Sequence, residues 1–213
     1  MPDEYAIGSA FPVFFDLAPK VTLKDPLARF LGAAHEGTME YSYADAVRLA
    51  GHSCPTVAGA YLMTLRGLQA LYADEVPVRG EVAISMSDSR DSGTTGVMAT
   101  VAQLITGAAP ETGFGGIAGR FQRKDLLDFD QPVSGIMGMQ RTDNGQAVQV
   151  DLDASVVLPS PEMRVLLGKA VNGEASDEEL TRFGELWQDR VKRMLLEHAD
   201  DPVMIQVSPW SPN

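Results

Sequence analysis

Thiol and imidazole are scarce in this sequence: its 213 residues include one cysteine and three histidines. One cysteine excludes an intrachain disulfide. It also excludes a structural zinc site of four cysteines, or of two cysteines and two histidines, built from a single copy. Such sparing use of cysteine fits a reducing compartment. Positive charge is short as well. Lys and Arg number 17 against 29 Asp and Glu, a formal net charge of −12. An acidic surface repels phosphodiester backbones and anionic lipid, and no basic cluster interleaved with aromatics is present. The chain therefore reads as neither a nucleic-acid nor a membrane binder. No apolar run reaches the length of a membrane span. Asp3 and Glu4 stand where a secretory leader would be basic, and Pro12 and Asp16 break the early apolar patch. Cytoplasmic is the expected location.

What the sequence does have is a hydrophobic fraction of 45%, enough to bury a core without staples. Residues 1–20 read as irregular, with one helical turn around Val13 to Leu17. "DPLARFLGAAHEG" is ambiguous: Pro26 after Asp25 suits a helix start, but Gly32 and Gly37 limit its length. "YSYADAVRLAG" is a short helix opened by Ser42 or Tyr43 and stopped by Gly51. Pro55 opens a long helix to about Ala73, with Val57, Tyr61, Leu65, Leu68 and Tyr72 on one stripe. A strand over 79–87 precedes a loop and a helix over 96–107, which turns Val97, Val101, Leu104 and Ile105 inward and stops at Gly107. "IAGRFQRKDLLDF" is read as a strand running into a turn. Asp143-Asn144-Gly145 marks a hairpin. Ser160-Pro161 starts one helix, Ser176 with Glu179 caps a second that reaches about His198, and "PVMIQVSPW" is a final strand. Helices and strands mix without strict alternation. The expected class is α+β, one domain over 1–213, with a mixed or antiparallel sheet packed by helices and a C-terminal helical extension.

Chemistry concentrates in "LAGHSCPTVAGAYL", residues 49–62. Cys54 immediately precedes the long helix, where unpaired N–H groups and the positive end of the dipole favour a thiolate. His52 lies two residues upstream and can face the same way. The pair can serve as sulfur and nitrogen ligands of a metal, or as nucleophile and base. A metal held by two such donors and one more keeps an open position, and zinc suits them best, with iron or copper as alternatives. Against both stands the role of Cys54 as a small buried hydrophobe.

His35, Asp88 and Asp91 are further candidate metal ligands. His35, with Glu36, occupies a glycine-flanked segment and serves equally as a surface residue. The two aspartates lie in "SDSRDSGTTG", a loop after a strand, which reads equally as a solvated entry to the next helix with Asp91, Ser92 or Thr94 as its N-cap. "GFGGIAGR" is superficially like a phosphate-binding loop. It lacks the strand before, the helix after and the lysine of such loops, and reads as a turn. His198 at a helix end suits the dipole. The ten methionines are dispersed and read as core filler.

"AGHSCPTVAGAYL" resembles the Gly-His-x-Cys-Pro-Gly signature of the FmdE-like family, named after formylmethanofuran dehydrogenase. "VMATVAQLITG" is similar to that family's downstream helix ending in Gln-x-x-Thr-Gly, here Gln103, Thr106 and Gly107. The likeness covers roughly residues 40–128. It implies an α+β core, often dimeric, with a metal or reactive site at His52 and Cys54. It also implies a link to one-carbon or redox metabolism. Thr56 replaces the signature's last glycine. Val97, Thr100 and Ala108 stand where members often carry Cys, Asp and Cys. The C-terminal zinc finger of some members is missing, and 130–213 reads as a separate elaboration.

The leading expectation is thus a homodimeric protein binding a divalent metal, zinc before others, with an open position for an unknown small molecule or an activated water. Alternatives are a metal-independent enzyme using Cys54 as nucleophile or redox thiol with His52 as base, and a haem-binding or accessory protein of a larger redox enzyme.

Overall fold

A computed structural model describes residues 11–212. The chain enters through a short helix α1 (Phe14–Leu17), then strand β1 (Val21–Lys24) and helix α2 (Pro26–Phe30). A 3-10 turn at His35–Gly37 leads to β2 (Thr38–Tyr41), which pairs antiparallel with β1 as a two-stranded sheet. Each strand alternates apolar and polar residues, but over only four positions, too short a run to stand out in the sequence. Helix α3 (Tyr43–Ala50) follows, then α4 (Pro55–Tyr72), β3 (Val82–Met86) and α5 (Thr95–Thr106). The remaining elements are β4 (Leu127–Asp128), β5 (Met137–Arg141), β6 (Ala147–Leu152), α6 (Pro161–Asn172), α7 (Asp177–Leu196) and β7 (Ile205–Pro209). Five strands form the main sheet in the order β4-β3-β5-β6-β7, parallel only between β3 and β4. The fold is α+β with a mixed sheet. No helix among the described residues is long and apolar enough to cross a membrane.

The stop and start signals in the sequence act as read. Gly51, Gly107 and Gly173 end α3, α5 and α6 with φ of 76°, 75° and 71°. Ser176 and Glu179 cap α7 reciprocally, and Gly145, at φ 77°, sits in the turn between β5 and β6. The helical turn near Val13 appears as α1; residues 1–10 of the segment read as irregular lie outside the described residues.

One expectation fails. "IAGRFQRKDLLDF" is not a strand: it holds one isolated bridge, Ile117 to Arg120, and contributes only the two residues of β4. Ala118, Gly119, Phe121 and Asp125 all have positive φ, from 50° to 77°. Left-handed residues cannot sustain a pleated ladder, so the segment coils instead.

Helix α4 lies at the centre. Val57, Ala58, Tyr61, Met63 and Leu68 are buried, while Leu65 of the expected stripe is only partly covered. Each fully buried large side chain contributes about 1.5–3 kcal/mol. Of the residues expected to point inward on α5, Val101 and Ile105 are buried, and Val97 and Leu104 pack partly covered against the core. Helices α3, α5 and α7 pack around α4, and β5, β6 and β7 lie beneath it. Two glycines permit that approach. A Cβ on Gly59 would collide with the Leu152 side chain, and one on Gly67 with Met139 and Val150. Strands β5, β6 and β7, all from beyond residue 130, thus complete the sheet on which α4 sits.

Asp25 ties the small sheet to this body. Its Oδ1 accepts from the N–H groups of Leu27 and Ala28 at 2.9 and 3.0 Å, capping α2. The same carboxylate takes Arg123 Nη2 at 2.7 Å and Arg79 Nη1 at 3.1 Å. Arg79 also donates to the carbonyls of Leu104 and Ile105 at 3.0 and 3.1 Å, the last turn of α5. Burial works against the Asp25 charge. The Ala28 N–H and the two guanidinium groups outweigh it and hold the carboxyl below its usual range.

Candidate functional site

A short turn, His52 to Cys54, separates Gly51 at the end of α3 from Pro55 at the start of α4. His52 is exposed, with Nδ1 3.0 Å from the Ala50 carbonyl oxygen. A carbonyl only accepts, so the proton of a neutral ring sits on Nδ1 and Nε2 carries the lone pair. Cys54 is extended, at φ −151° and ψ 168°, and is the N-cap of α4. Its Sγ accepts from Val57 N–H at 3.4 Å, and the residue is 9% exposed. Pro55 at the first helical position has no N–H to satisfy. The sulfur therefore occupies the electropositive end of an 18-residue helix. Cys54 is at once a helix cap and a member of the core cluster.

Ser53, between the two candidates, makes the turn rigid. Its carbonyl accepts from Trp187 Nε1 at 3.0 Å and Gln188 Nε2 at 3.2 Å. Its hydroxyl donates to Gln188 Oε1 at 2.9 Å and lies 2.9 Å from Tyr43 OH. A serine has one proton to give, so Tyr43 is the donor in that second contact. Burial lifts the Tyr43 phenol far above its ordinary range and keeps it a donor. Tyr43 is fully buried, edge-on to Phe15 and Tyr61 at 4.9 and 5.7 Å between ring centroids.

The other residues singled out in the sequence lie in separate segments. His35 is exposed in the 3-10 turn before β2. Its neighbour Glu36 has φ 51° and lies 3.9 Å from Lys24 Nζ. Asp88 is exposed in the loop after β3, and the Asp91 carboxylate accepts from Ser89 Oγ at 3.0 Å. Thr94, not Asp91 or Ser92, is the N-cap residue of α5. His198 Nδ1 is 2.9 Å from Asp201 Oδ2 just past α7. Among the described residues, no three His, Cys, Asp or Glu side chains come together as a metal-binding group. The turn itself offers one sulfur and one nitrogen.

No family model matches the chain, and no curated protein matches it. Sequence reasoning missed Ser53, Tyr43 and Gln188 as parts of the turn. A polar Gln188 directly after Trp187 was the available signal.

Proposed function

We propose that the protein binds a divalent metal, zinc by preference, through His52 Nε2 and Cys54 Sγ. One observation carries this reading: Nδ1–H of His52 is spent on the Ala50 carbonyl, which leaves Nε2 as the lone-pair donor. Metal-binding imidazoles are oriented in this way, by a second hydrogen bond that fixes the tautomer. Sulfur with imidazole suits zinc. Two donors leave positions for water, for a small ligand, or for the same two donors of a second copy in a homodimer. A metal so held would supply Lewis acidity and an activated water. Elemental analysis of protein purified from metal-replete cells tests the proposal. Wild type carries the metal, while Cys54→Ser and His52→Ala lose it. A metal-free wild type overturns it.

A second reading has its own support. The Val57 N–H donates to Cys54 Sγ at the N-terminus of α4, and a sulfur placed there can serve as a nucleophile or redox thiol without any metal. Alkylation of chelator-treated protein separates the two. Rapid reaction of Cys54 at neutral pH favours the thiol reading, and a sulfur that stays inert removes it.

A further inference from the structure

Apart from the His52 and Cys54 turn, a cleft of about 430 Å³ opens between the coiled 113–125 segment and the start of β3. Arg79, Glu81, Arg120, Phe121 and Arg123 line it, and no residue of the turn does. A second hollow of about 400 Å³ shares Pro26, Arg120 and Phe121 with it and adds Arg29 and Phe30. Volumes of this size suit small molecules. Four guanidinium groups meet here in a chain of net charge −12, against the carboxylates of Asp25 and Glu81.

The guanidinium groups are held for different tasks. Arg123 is buried, its side chain 8% exposed, and its Nη1 lies where only a glycine, Gly80, leaves room. Asp25 takes one of its nitrogens, while its buried Nε has no acceptor among the described residues. An unmatched buried donor is costly and rare. Arg79 gives three of its five N–H donors to Asp25 and the end of α5, and contributes its charge to the cleft. Arg120 is exposed, its guanidinium 4.7 Å above the Phe121 ring, where its fork of donors can meet an anion arriving from solvent. Phe121 in turn lies 5.2 Å from the Phe30 ring, and Phe30 is 58% exposed. Arg79, Arg120 and Arg123 against Asp25 and Glu81 leave the cleft about one positive charge, and Arg29 in the adjoining hollow adds a second; together they complement a phosphomonoester at neutral pH. A lone carboxylate would match only half of that. Phe30, exposed, beside the half-buried Phe121 in the adjoining hollow offers a face to a flat ring.

We propose that this cleft binds the phosphate of a small phosphorylated molecule, with a flat ring of that molecule packed on Phe30 and Phe121. Glu81, which lines the cleft with the same sign of charge as the ligand, tunes the affinity downward. Titration calorimetry of chelator-dialysed protein with AMP and with inorganic phosphate tests this, independently of any metal at the turn. AMP is expected to bind at one equivalent, about tenfold more tightly than phosphate. Arg120→Ala, a change at an exposed side chain, weakens both by about tenfold. Phe30→Ala brings AMP down to the affinity of phosphate, and Glu81→Gln tightens both. No saturable binding of either ligand, or binding indifferent to Arg120→Ala, overturns the site. Equal affinity for the two ligands overturns the seat for the ring.

Discussion

The two polar centres of this protein are built on different scales. The His52–Cys54 turn is local: a left-handed glycine, a histidine bonded to the carbonyl two residues back, and a cysteine capping the helix that it precedes. The Asp25 centre is assembled from afar, its arginine partners lying 54 and 98 residues away. The first is a set of backbone signals. The second exists only once three distant segments have met. The backbone course of the turn tolerates the loss of the His52 or Cys54 side chain, because Gly51 and Pro55 set the helix ends on either side. A carboxylate bridging two guanidinium groups has no such reserve.

Substitutions sharpen that contrast. Asp25→Asn should be the most damaging, because it strands two guanidinium groups, one of them buried. A loss of about 3–5 kcal/mol is expected in urea unfolding at neutral pH. The same variant should also respond differently to acid. The native Asp25 carboxyl lies below its ordinary value of 3.8, so its stabilisation is present above that pH and is lost as pH falls through the lowered native value. Wild type therefore loses stability below about pH 4, and Asp25→Asn shows a flatter acid limb over that range. A variant as steep as wild type would show that other carboxylates govern acid unfolding.

Ser53→Ala comes next. It leaves Tyr43 OH without its acceptor in the core and removes the donor to Gln188, at a cost of about 1–3 kcal/mol. Metal affinity should fall with it, since the turn loses a clamp. An unchanged melting temperature in Ser53→Ala would mean that the clamp is idle.

Cys54→Ser should barely change stability, within about 1 kcal/mol, because serine is itself a strong N-cap. His52→Ala, at an exposed position, should shift it by no more than about 0.5 kcal/mol. Both should nonetheless abolish metal binding. A large loss of stability in either would recast the turn as structural.

The same distinction of scale decides what was legible in the sequence. Helix ends written in a few residues were readable: Asp25-Pro26, Gly51, Pro55, Ser176 with Glu179. So was the hairpin at Asn144-Gly145 and, with it, the α+β class. The segment from Ile117 to Asp128 misled because its apolar residues resemble a strand, while its backbone runs through residues of positive φ that no short pattern announces outside glycine. Strands β1 and β2 were invisible because each is four residues long and is fixed by its partner more than by its own alternation. In the turn, Cys54 and His52 were visible as residues and Ser53 was not, because its role depends on α7. The cleft arginines were not legible at all. Arg79, Arg120 and Arg123 look like scattered surface charges until the 113–125 coil folds back beside Gly80.

Trp187 and Gln188 grip Ser53 from 134 and 135 positions further along the chain. Synthesis proceeds from the N-terminus, at roughly 5–20 residues per second. His52 and Cys54 therefore leave the ribosome several seconds before the side chains that immobilise the peptide between them exist. Until α7 docks, the peptide between sulfur and imidazole lacks these hydrogen bonds. The turn is finished late although it is made early, and its final shape waits for the arrival of a distant helix.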